Sequence, residues 1–306
     1  MRRFILALAA IWWGLMPLAT RAATTLDETP RIAVMSAFAP ELTLLQDKLQ
    51  QAETYTVNGV DFTTGTLQGK QVVLFLSGIS MTNAAMNTQL ALDRFKITHL
   101  VFSGIAGGVN PSLNIGDVTV PQQWGQYLEV LMARETAPGK FTPPAWMDDV
   151  KLPNYNLLHP RPVGVRSKGR SGEEKKFWFE VDPRMLAIAR DIQGTVLADC
   201  DPAGKCLGHK PKLVIGGNGV SGQAFMDNAS FRDYTFSTFA ANVLDMESAA
   251  TAMVAYSNGV PFIAFRSLSD LAGGGSGENE METFMKLAAN NAAKVLLTFL
   301  ANWKGQ

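Results

Sequence analysis

Four charged side chains stand out in an otherwise apolar, alanine-rich stretch that spans residues 242–274: Asp245, Glu247, Arg266 and Asp270. The stretch predicts a helix that starts at Asp245 with Glu247 just inside it, a Gly-Val-Pro turn, and a short buried strand over residues 261–265. Arg266, Ser269 and Asp270 follow at the carboxyl end of that strand. Buried charges are costly unless they are paired or used, and open α/β sheets bind ligands at the carboxyl ends of their strands. We therefore predict a small-molecule site here. A purely structural Glu247–Arg266 ion pair is the alternative.

Glu41 occupies a similar junction near the beginning of the chain. Residues 31–36 are predicted to form a short buried strand, and Pro40 and Glu41 then open a helix, because proline suits the first helical position and an acidic side chain suits the first turn. On residue type alone, Glu41 is interpreted as a surface carboxylate that interacts with the helix dipole.

The composition indicates a globular protein with a substantial core. The chain has 306 residues, of which 47% are hydrophobic and 18% charged, which suits one large α/β domain or two smaller ones. Basic and acidic side chains balance at 27 each, so the charge gives no indication of a nucleic-acid partner.

The first 22 residues are predicted to be a cleaved signal peptide. Arg2 and Arg3 precede an apolar run that extends to Ala19, and small residues follow at the cleavage position. An uncleaved anchor is the alternative, but a run of about 16 residues is short for a membrane span of about 20. We expect an exported protein, periplasmic or secreted, whose only membrane contact is through this signal, and a polar linker at residues 23–30.

The two cysteines, Cys200 and Cys206, are close together in the sequence. In an exported protein such a pair predicts a disulfide that closes a small loop. A zinc site that also uses His209 is the alternative, but it needs more ligands than lie nearby. We expect neither a metal nor a cofactor.

Between residues 31 and 306, predicted strands and helices alternate, with glycine-containing breaks at the strand ends, such as the turn predicted over residues 103–109. An Asn-Gly turn at residues 58–59 predicts a hairpin that leads into an antiparallel meander. The alternation of strands and helices stops over residues 122–181, which we interpret as an insertion of loops and short strands. The pattern predicts one α/β domain with a central sheet.

Six ordered motifs resemble those of the nucleoside phosphorylase/nucleosidase superfamily. They are S-G-I-S, S-G-I-A-G-G, N-I-G-D-V, S-G-Q-A-F-M, L-D-M-E-S-A-A and R-S-L-S-D. The resemblance covers nearly all of residues 31–303 outside the insertion, and in function it is strongest to the 5′-methylthioadenosine/S-adenosylhomocysteine nucleosidases. The last third is also similar to plant bark and vegetative storage proteins. The resemblance implies a single domain with a central mixed β-sheet, partly barrel-like and flanked by helices, in a homo-oligomer.

The resemblance implies catalytic roles for four residues. Asp270 matches the acid that protonates the purine leaving group, for which its pKa must be raised by burial. Glu41 matches the glutamate that activates an attacking water, with a serine and an arginine at the positions of Ser77 and Arg266. These roles suit N-glycosidic cleavage, which passes through an oxocarbenium-like sugar cation.

Other positions match substrate contacts. Glu247 and Met246 match the pair that holds the ribose hydroxyls, and Phe225 matches the aromatic ring that stacks on the base. The remaining predicted contacts are Met226, Ser269, Phe38, Gly107 and Gly78. Two departures put the substrate in question more than the reaction: Phe38 stands where these nucleosidases usually carry methionine, and S-G-I-S, which ends in Ser80, replaces the commoner S-G-I-G.

The absence of arginine from two stretches favours water over phosphate as the nucleophile. Phosphorylases of this superfamily carry arginines near the first strand and near the position of Ser77, because a phosphate dianion needs cations. Residues 36–45 and 74–76 contain none. We predict a nucleosidase for a purine nucleoside such as methylthioadenosine, adenosylhomocysteine or an adenosine-like compound. The alternatives are a purine nucleoside phosphorylase that binds phosphate through Ser77, Gly107 and Arg266, and a non-catalytic nucleoside-binding or storage protein.

Overall fold

The computed structural model describes residues 25–147, 151–275 and 277–304, and the predicted signal peptide lies outside them. The helices are α1 (Ala39–Lys48), α2 (Met81–Arg94), α3 (Pro183–Asp191), α4 (Ala229–Phe239), α5 (Ser248–Asn258) and α6 (Met281–Asn302). The strands are β1 (Asp27–Ser36), β2 (Gln50–Val57), β3 (Val60–Leu67), β4 (Lys70–Leu76), β5 (Phe95–Gly108), β6 (Val118–Val120), β7 (Gln123–Gln126), β8 (Val130–Met132), β9 (Arg134–Ala137), β10 (Lys140–Thr142), β11 (Leu158–Pro160), β12 (Val163–Val165), β13 (Glu174–Lys176), β14 (Trp178–Glu180), β15 (Leu213–Ile215), β16 (Asn218–Ser221), β17 (Ala241–Asp245) and β18 (Phe262–Asp270).

Twelve strands form one mixed sheet around β5. Strand β5 pairs in parallel with β1 over residues 95–102 and with β18 over residues 100–107, and its end pairs antiparallel with β17. Strand β5 thus pairs with three neighbours along its length. Helix α6 packs on β18 and β5, and α2 packs against α5. The structure confirms the predicted single α/β domain with a mixed sheet flanked by helices.

The predicted hairpin and meander are present. Strands β2 and β3 join through Asn58 and Gly59, both at positive φ, and β3 and β4 continue the antiparallel run. Positive φ at both turn residues is what a two-residue hairpin requires, and Asn-Gly adopts it at low cost.

Three predicted boundaries were wrong. Strand β1 begins at Asp27, within the predicted linker, where Asp27 pairs with Phe95 of β5. The glycine-rich segment predicted as a turn continues β5 to Gly108, because β18 and β17 supply its backbone partners. Strand β18 likewise continues to Asp270, since it pairs with β5 along its whole length. Tertiary pairing thus extended strands that local residue patterns had ended.

The predicted insertion contributes to the main sheet at both of its ends. The described part of residues 122–181 holds eight strands, of which β7 and β14 pair with each other and β7 also pairs with β16. Trp124 and Phe179 on these strands are 0% and 1% exposed, so their apolar side chains belong to the core rather than to a surface loop. The other six strands form three two-stranded sheets.

A disulfide joins Cys200 to Cys206 in the loop between α3 and β15, as predicted. The two sulfurs are therefore bonded to each other and unavailable as zinc ligands, while a ring nitrogen of His209 lies 2.9 Å from the Ile115 carbonyl oxygen. In the part of the chain that the structure describes, none of the helices has the length and apolar character to cross a membrane.

Candidate active site

A cavity of about 200 Å³ opens where the carboxyl ends of β1, β5, β17 and β18 meet the starts of α1, α5 and α6. The residues that line it are Ala37, Phe38, Glu41, Ile79, Ile105, Ala106, Gly107, Ala224, Phe225, Met226, Leu244, Asp245, Met246, Glu247, Ser269, Asp270 and Met281. Segments far apart in the sequence therefore converge on one site, at the edge of the sheet where α/β proteins bind ligands.

Glu41 is a buried carboxylate on the wall of this cavity. Its Oε2 accepts a hydrogen bond from the Ala37 N–H at 2.6 Å, and its Oε1 accepts one from the Ile105 N–H at 2.7 Å. Burial raises the pKa of Glu41 to about 7, although Arg266 and the two N–H groups oppose the rise. Glu41 can therefore exchange a proton near neutral pH, as a general base must.

Arg266 lies behind the wall, fully buried among three carboxylates. Its Nη2 donates to Glu247 Oε2 at 3.2 Å, its Nη1 lies 3.9 Å from Glu41 Oε1, and its Nε lies 2.8 Å from Asp245 Oδ2. The Nη1 also donates to the Ile105 carbonyl oxygen at 3.1 Å. Arg266 thus balances part of the negative charge of the site without facing the cavity.

Asp270 ends β18 and is 3% exposed. The Ser269 hydroxyl donates to its Oδ2 at 2.9 Å, and the Ala272 N–H donates to its Oδ1 at 2.8 Å. Burial raises the pKa of Asp270 above its ordinary value, against the lowering effect of both donors. A carboxyl group in this state holds its proton at higher pH than a solvated aspartate and can act as an acid.

Glu247 is the N-cap residue of α5, so the prediction that it lies just inside the helix was wrong by one position. Its Oε1 accepts from the Ser80 N–H at 2.9 Å, and its Oε2 accepts from Arg266. Burial raises the pKa of Glu247, with a further rise from the charge of Asp245, while Arg266 lowers it. Both oxygens are fixed in place, and Glu247 and its neighbour Met246 both line the cavity.

The mouth of the cavity is apolar. Phe225 is 55% exposed and Ile79 is 50% exposed, and both line the cavity together with Phe38 and Met281. Large apolar side chains with this much exposure mark a surface that a ligand can cover.

Three residues that the sequence placed at the site do not line the cavity: Ser77, Gly78 and Arg266. The Ser77 side chain is buried, and its hydroxyl donates to the Gly78 carbonyl oxygen at 3.0 Å. On the cavity wall, Glu41 accepts hydrogen bonds from the backbone N–H groups of Ala37 and Ile105, and the Ile105 carbonyl oxygen accepts one from Arg266. The role of Ser77 beside an attacking water stays a prediction. All other predicted site residues line the cavity.

Sequence reasoning missed several residues at the site. Asp245 was noticed only as a charge at a helix start, yet it contacts Arg266 and lines the cavity. Gly104 belongs to a recognised motif, and a Cβ placed there would lie 2.5 Å from Glu41 Oε1 and closer still to Arg266 Nη1. The sequence did not indicate Met281 as a site residue, because an apolar residue at the start of a helix is common. Strand pairing brings Asp245 and Gly104 to the site, and the start of α6 brings Met281.

The arrangement can perform acid–base chemistry across a bound ligand. Asp270 offers a proton on one wall, Glu41 can accept one on another, and Glu247 is a fixed hydrogen-bond acceptor between aliphatic and aromatic surfaces. In the described residues, no three His, Cys, Asp or Glu side chains are grouped so that they could hold a metal ion.

Comparison with known proteins found one matching family and similar proteins that are nucleosidases. The model of a family described as the phosphorylase superfamily matches residues 31–301. The 5′-methylthioadenosine/S-adenosylhomocysteine nucleosidase of Bacillus thuringiensis (strain Al Hakam) is 30% identical over 279 residues, which cover 90% of this chain and 100% of that protein.

Solved structures share the fold. A 5′-methylthioadenosine/S-adenosylhomocysteine nucleosidase from Colwellia psychrerythraea 34H, in complex with adenine, matches with a TM-score of 0.67 and 25% identity over 92% of this chain and 98% of that chain. The futalosine hydrolase of Helicobacter pylori strain 26695 matches with a TM-score of 0.67 and 21% identity over 90% of this chain and 98% of that chain. The second similarity, at its low identity, shows the fold alone.

Proposed function

The chain belongs to the phosphorylase superfamily, and we propose that it is a nucleosidase, which uses water to hydrolyse the N-glycosidic bond of a purine nucleoside. The products are the free base and the free sugar. The relatives are named for methylthioadenosine and adenosylhomocysteine, and the proposed substrates are these two compounds or an adenosine-like nucleoside.

The charge of the cavity wall carries this proposal. Four of the residues that line the cavity are carboxylic acids, and none of the lining residues that the structure describes is a lysine or arginine. Arg266 lies behind the wall, and its nitrogens are already shared among carboxylates and the Ile105 carbonyl group. A phosphate dianion needs cations and would be repelled by this wall, whereas water needs only a hydrogen-bond acceptor and a base.

The geometry supports a different role for each of three carboxyl groups. Asp270 protonates the leaving purine, Glu41 accepts a proton from the attacking water, and Glu247 accepts hydrogen bonds from the ribose hydroxyls. Negative charge on Glu41 and Glu247 stabilises the positive charge that develops on the sugar in the transition state. Phe225 offers an exposed aromatic face on which a purine ring can stack.

The experiment is a purine-release assay with methylthioadenosine, adenosylhomocysteine, adenosine and inosine, each with and without phosphate. We expect release from at least one adenine nucleoside at a rate that phosphate does not increase. Asp270→Asn is the matched inactive control, since it changes one group of the site and keeps its size. Strict dependence on phosphate would favour the phosphorylase, and binding without release in the wild type would favour a nucleoside-binding protein.

We also propose that the mature protein is exported. The apolar, basic-flanked amino terminus and the disulfide between Cys200 and Cys206 support this, because disulfides persist in oxidising compartments. Fractionation of cells that express the full chain tests it: the processed protein should be found outside the cytoplasm, and an unprocessed cytoplasmic protein would contradict it.

A homo-oligomer is a further proposal. The exposed apolar side chains of Ile79 and Met86, on α2 and the loop before it, support an interface beside the cavity. Light scattering of the purified protein should give a mass of at least two chains, and the mass of one chain would contradict this.

A further inference from the structure

Asp245 holds one edge of the buried guanidinium group of Arg266. Its Oδ2 lies 2.8 Å from Arg266 Nε, whose hydrogen is directed at the Ser248 hydroxyl oxygen, 3.0 Å away. The contact of Asp245 with Arg266 is therefore an ion pair without a directed hydrogen bond, which fits the lack of a hydrogen-bond donor to this oxygen in the described residues. The other edge of Arg266 faces Glu247 and Glu41.

The position of Asp245 is fixed by its other oxygen. Its Oδ1 accepts the Glu247 and Ser248 N–H groups, both at 3.1 Å, and the hydroxyl hydrogen of Ser221. These N–H groups belong to the first turn of α5, where the helix dipole favours negative charge. Asp245 is 5% exposed, so solvent screens its charge less than that of a surface carboxylate.

Three carboxylates share this single cation, and they cannot all be neutralised by it. The Nη2 of Arg266 lies 3.2 Å from Glu247, but its Nη1 is 3.9 Å from Glu41, beyond hydrogen-bonding range. Glu41 is instead held by the Ala37 and Ile105 N–H groups. A glutamate tightly paired with arginine would be a weaker base, because the cation stabilises its charged form.

We propose that Asp245 is a positioning residue for the hydrolysis proposed above: it anchors Arg266 by its Nε edge and so keeps the guanidinium group from closing on Glu41. The expected effect on catalysis rests on the proposed function. The expected effect on the protonation of Glu41 does not, because it concerns only the contacts among Asp245, Arg266 and Glu41. Nothing in the six recognised motifs assigns Asp245 a role.

The charged and titratable groups around the cluster come from several elements. Arg266 on β18, Glu247 before α5 and the Tyr127 hydroxyl after β7 face Asp245, and Arg266 and Glu247 face Glu41. Burial, and then the charge of Asp245, raises the pKa of Tyr127, which keeps that hydroxyl neutral. Among the described groups that face this cluster, Arg266 is the only cation, and the charge on Asp245 opposes its effect on Glu41.

The test replaces Asp245 by a neutral residue and follows the pH dependence of activity. In Asp245→Asn, and in Asp245→Ser, whose hydroxyl can still cap the helix, Arg266 loses its ion pair at Nε, and more of its positive charge is available to Glu41. We expect the acid limb of kcat/KM to move about one unit to lower pH, and kcat to fall about tenfold because Glu41 becomes a weaker base. Asp245→Glu, which keeps the charge, should restore the acid limb.

Ser221→Ala is the matched structural control. It removes the hydroxyl group that donates to Asp245 Oδ1 and accepts from the Ala249 N–H, but it changes no charge. We expect a lower thermal midpoint with the acid limb at its wild-type pH.

An acid limb that stays at the wild-type pH in both neutral Asp245 variants would overturn the proposal and leave Asp245 as a helix cap.

A titration without substrate separates this inference from the proposed function. Infrared spectra of the carboxyl bands, with Glu41→Gln to assign the Glu41 band, report the protonation of Glu41 in the wild type and in Asp245→Asn. The band should titrate at lower pH in the variant, and equal titration in both would overturn the proposal. Absence of purine release by the wild type would count against the proposed function alone.

Discussion

The Nη1 of Arg266 lies 3.9 Å from Glu41 Oε1, which is near enough for attraction but too far for a hydrogen bond. Glu41 thereby gains some stabilisation of its negative charge while its hydrogen bonds go to two backbone N–H groups. The balance between burial, which raises its pKa, and Arg266, which lowers it, leaves that pKa at about 7. A base with this pKa is half ionised at neutral pH and can still accept a proton.

The first prediction concerns the acid limb of the pH profile. Glu41 must be unprotonated to accept a proton from water, so kcat/KM should rise with pH and level off above pH 7, near the raised pKa of about 7. Glu41→Gln should lower kcat by about 10²- to 10⁴-fold and abolish that limb. The measurement is kcat/KM between acidic and neutral pH. A limb near the ordinary pKa of a solvated glutamate would show that Glu41 is not the base.

The second prediction concerns Asp270 as the acid. Asp270→Asn should lower kcat by about 10²- to 10⁴-fold with little change in substrate affinity, because the variant keeps the shape of the site but has no proton to donate. Calorimetric titration with a nucleoside measures the affinity. Near-normal turnover by this variant would rule out Asp270 as the proton donor.

Ser269→Ala tests the same assignment by changing the pKa of Asp270 without removing its carboxyl group. The Ser269 hydroxyl donates to Asp270 Oδ2 and so favours the charged form of the carboxyl group. Its loss should raise the pKa of Asp270 further and move the basic limb of kcat/KM to higher pH. A basic limb that moves to lower pH would contradict this assignment.

The third prediction concerns the lack of a side chain at Gly104. A methyl group there would overlap Glu41 Oε1 and Arg266 Nη1, both of which are held in place by buried contacts. Gly104→Ala should lower the free energy of unfolding by about 1–3 kcal/mol, the usual cost of overpacking, and lower kcat about 100-fold or more. Gly194→Ala is the control, because a Cβ there meets nothing within 4 Å. Equal effects of the two variants would contradict the close approach at Gly104.

The fourth prediction concerns backbone strain at Ser80. This residue has φ 83 and ψ 154, a conformation that glycine adopts far more easily than serine, and its N–H holds Glu247. Ser80→Gly should relieve the strain and raise the free energy of unfolding by about 1 kcal/mol, after the entropy cost of a glycine in the unfolded chain. Urea unfolding measures this change. A loss of stability would show that the serine side chain contributes more than its strained backbone costs.

Much of the site could be predicted from the sequence because its acids lie next to strong local signals. The apolar strand before Arg266 and the alanine-rich segment after Glu247 predicted a strand and a helix, and both are present as β18 and α5. The Pro40 and Glu41 pair likewise marked the start of α1. The resemblance to nucleosidases then implied that these acids share one ligand, and the structure places Glu41, Glu247 and Asp270 on one cavity.

The rest depended on pairing between distant strands. Parallel pairing of β18 with β5 sets Arg266 opposite Gly104, next to Ile105, whose N–H donates to Glu41. Asp245 becomes a partner of Arg266 only because β17 also ends at this point. No local pattern of residues reveals such a register, so the role of Asp245 and the need for glycine at position 104 came from the structure.

The most direct test of water as the nucleophile is the identity of the sugar product. A purine nucleoside that the wild-type protein cleaves is incubated with it in excess phosphate, and the sugar is analysed by mass spectrometry and phosphorus nuclear magnetic resonance. We predict free sugar in an amount equal to the released base, because the carboxylate-lined cavity excludes the phosphate dianion. Accumulation of the sugar 1-phosphate would contradict hydrolysis and identify the protein as a phosphorylase.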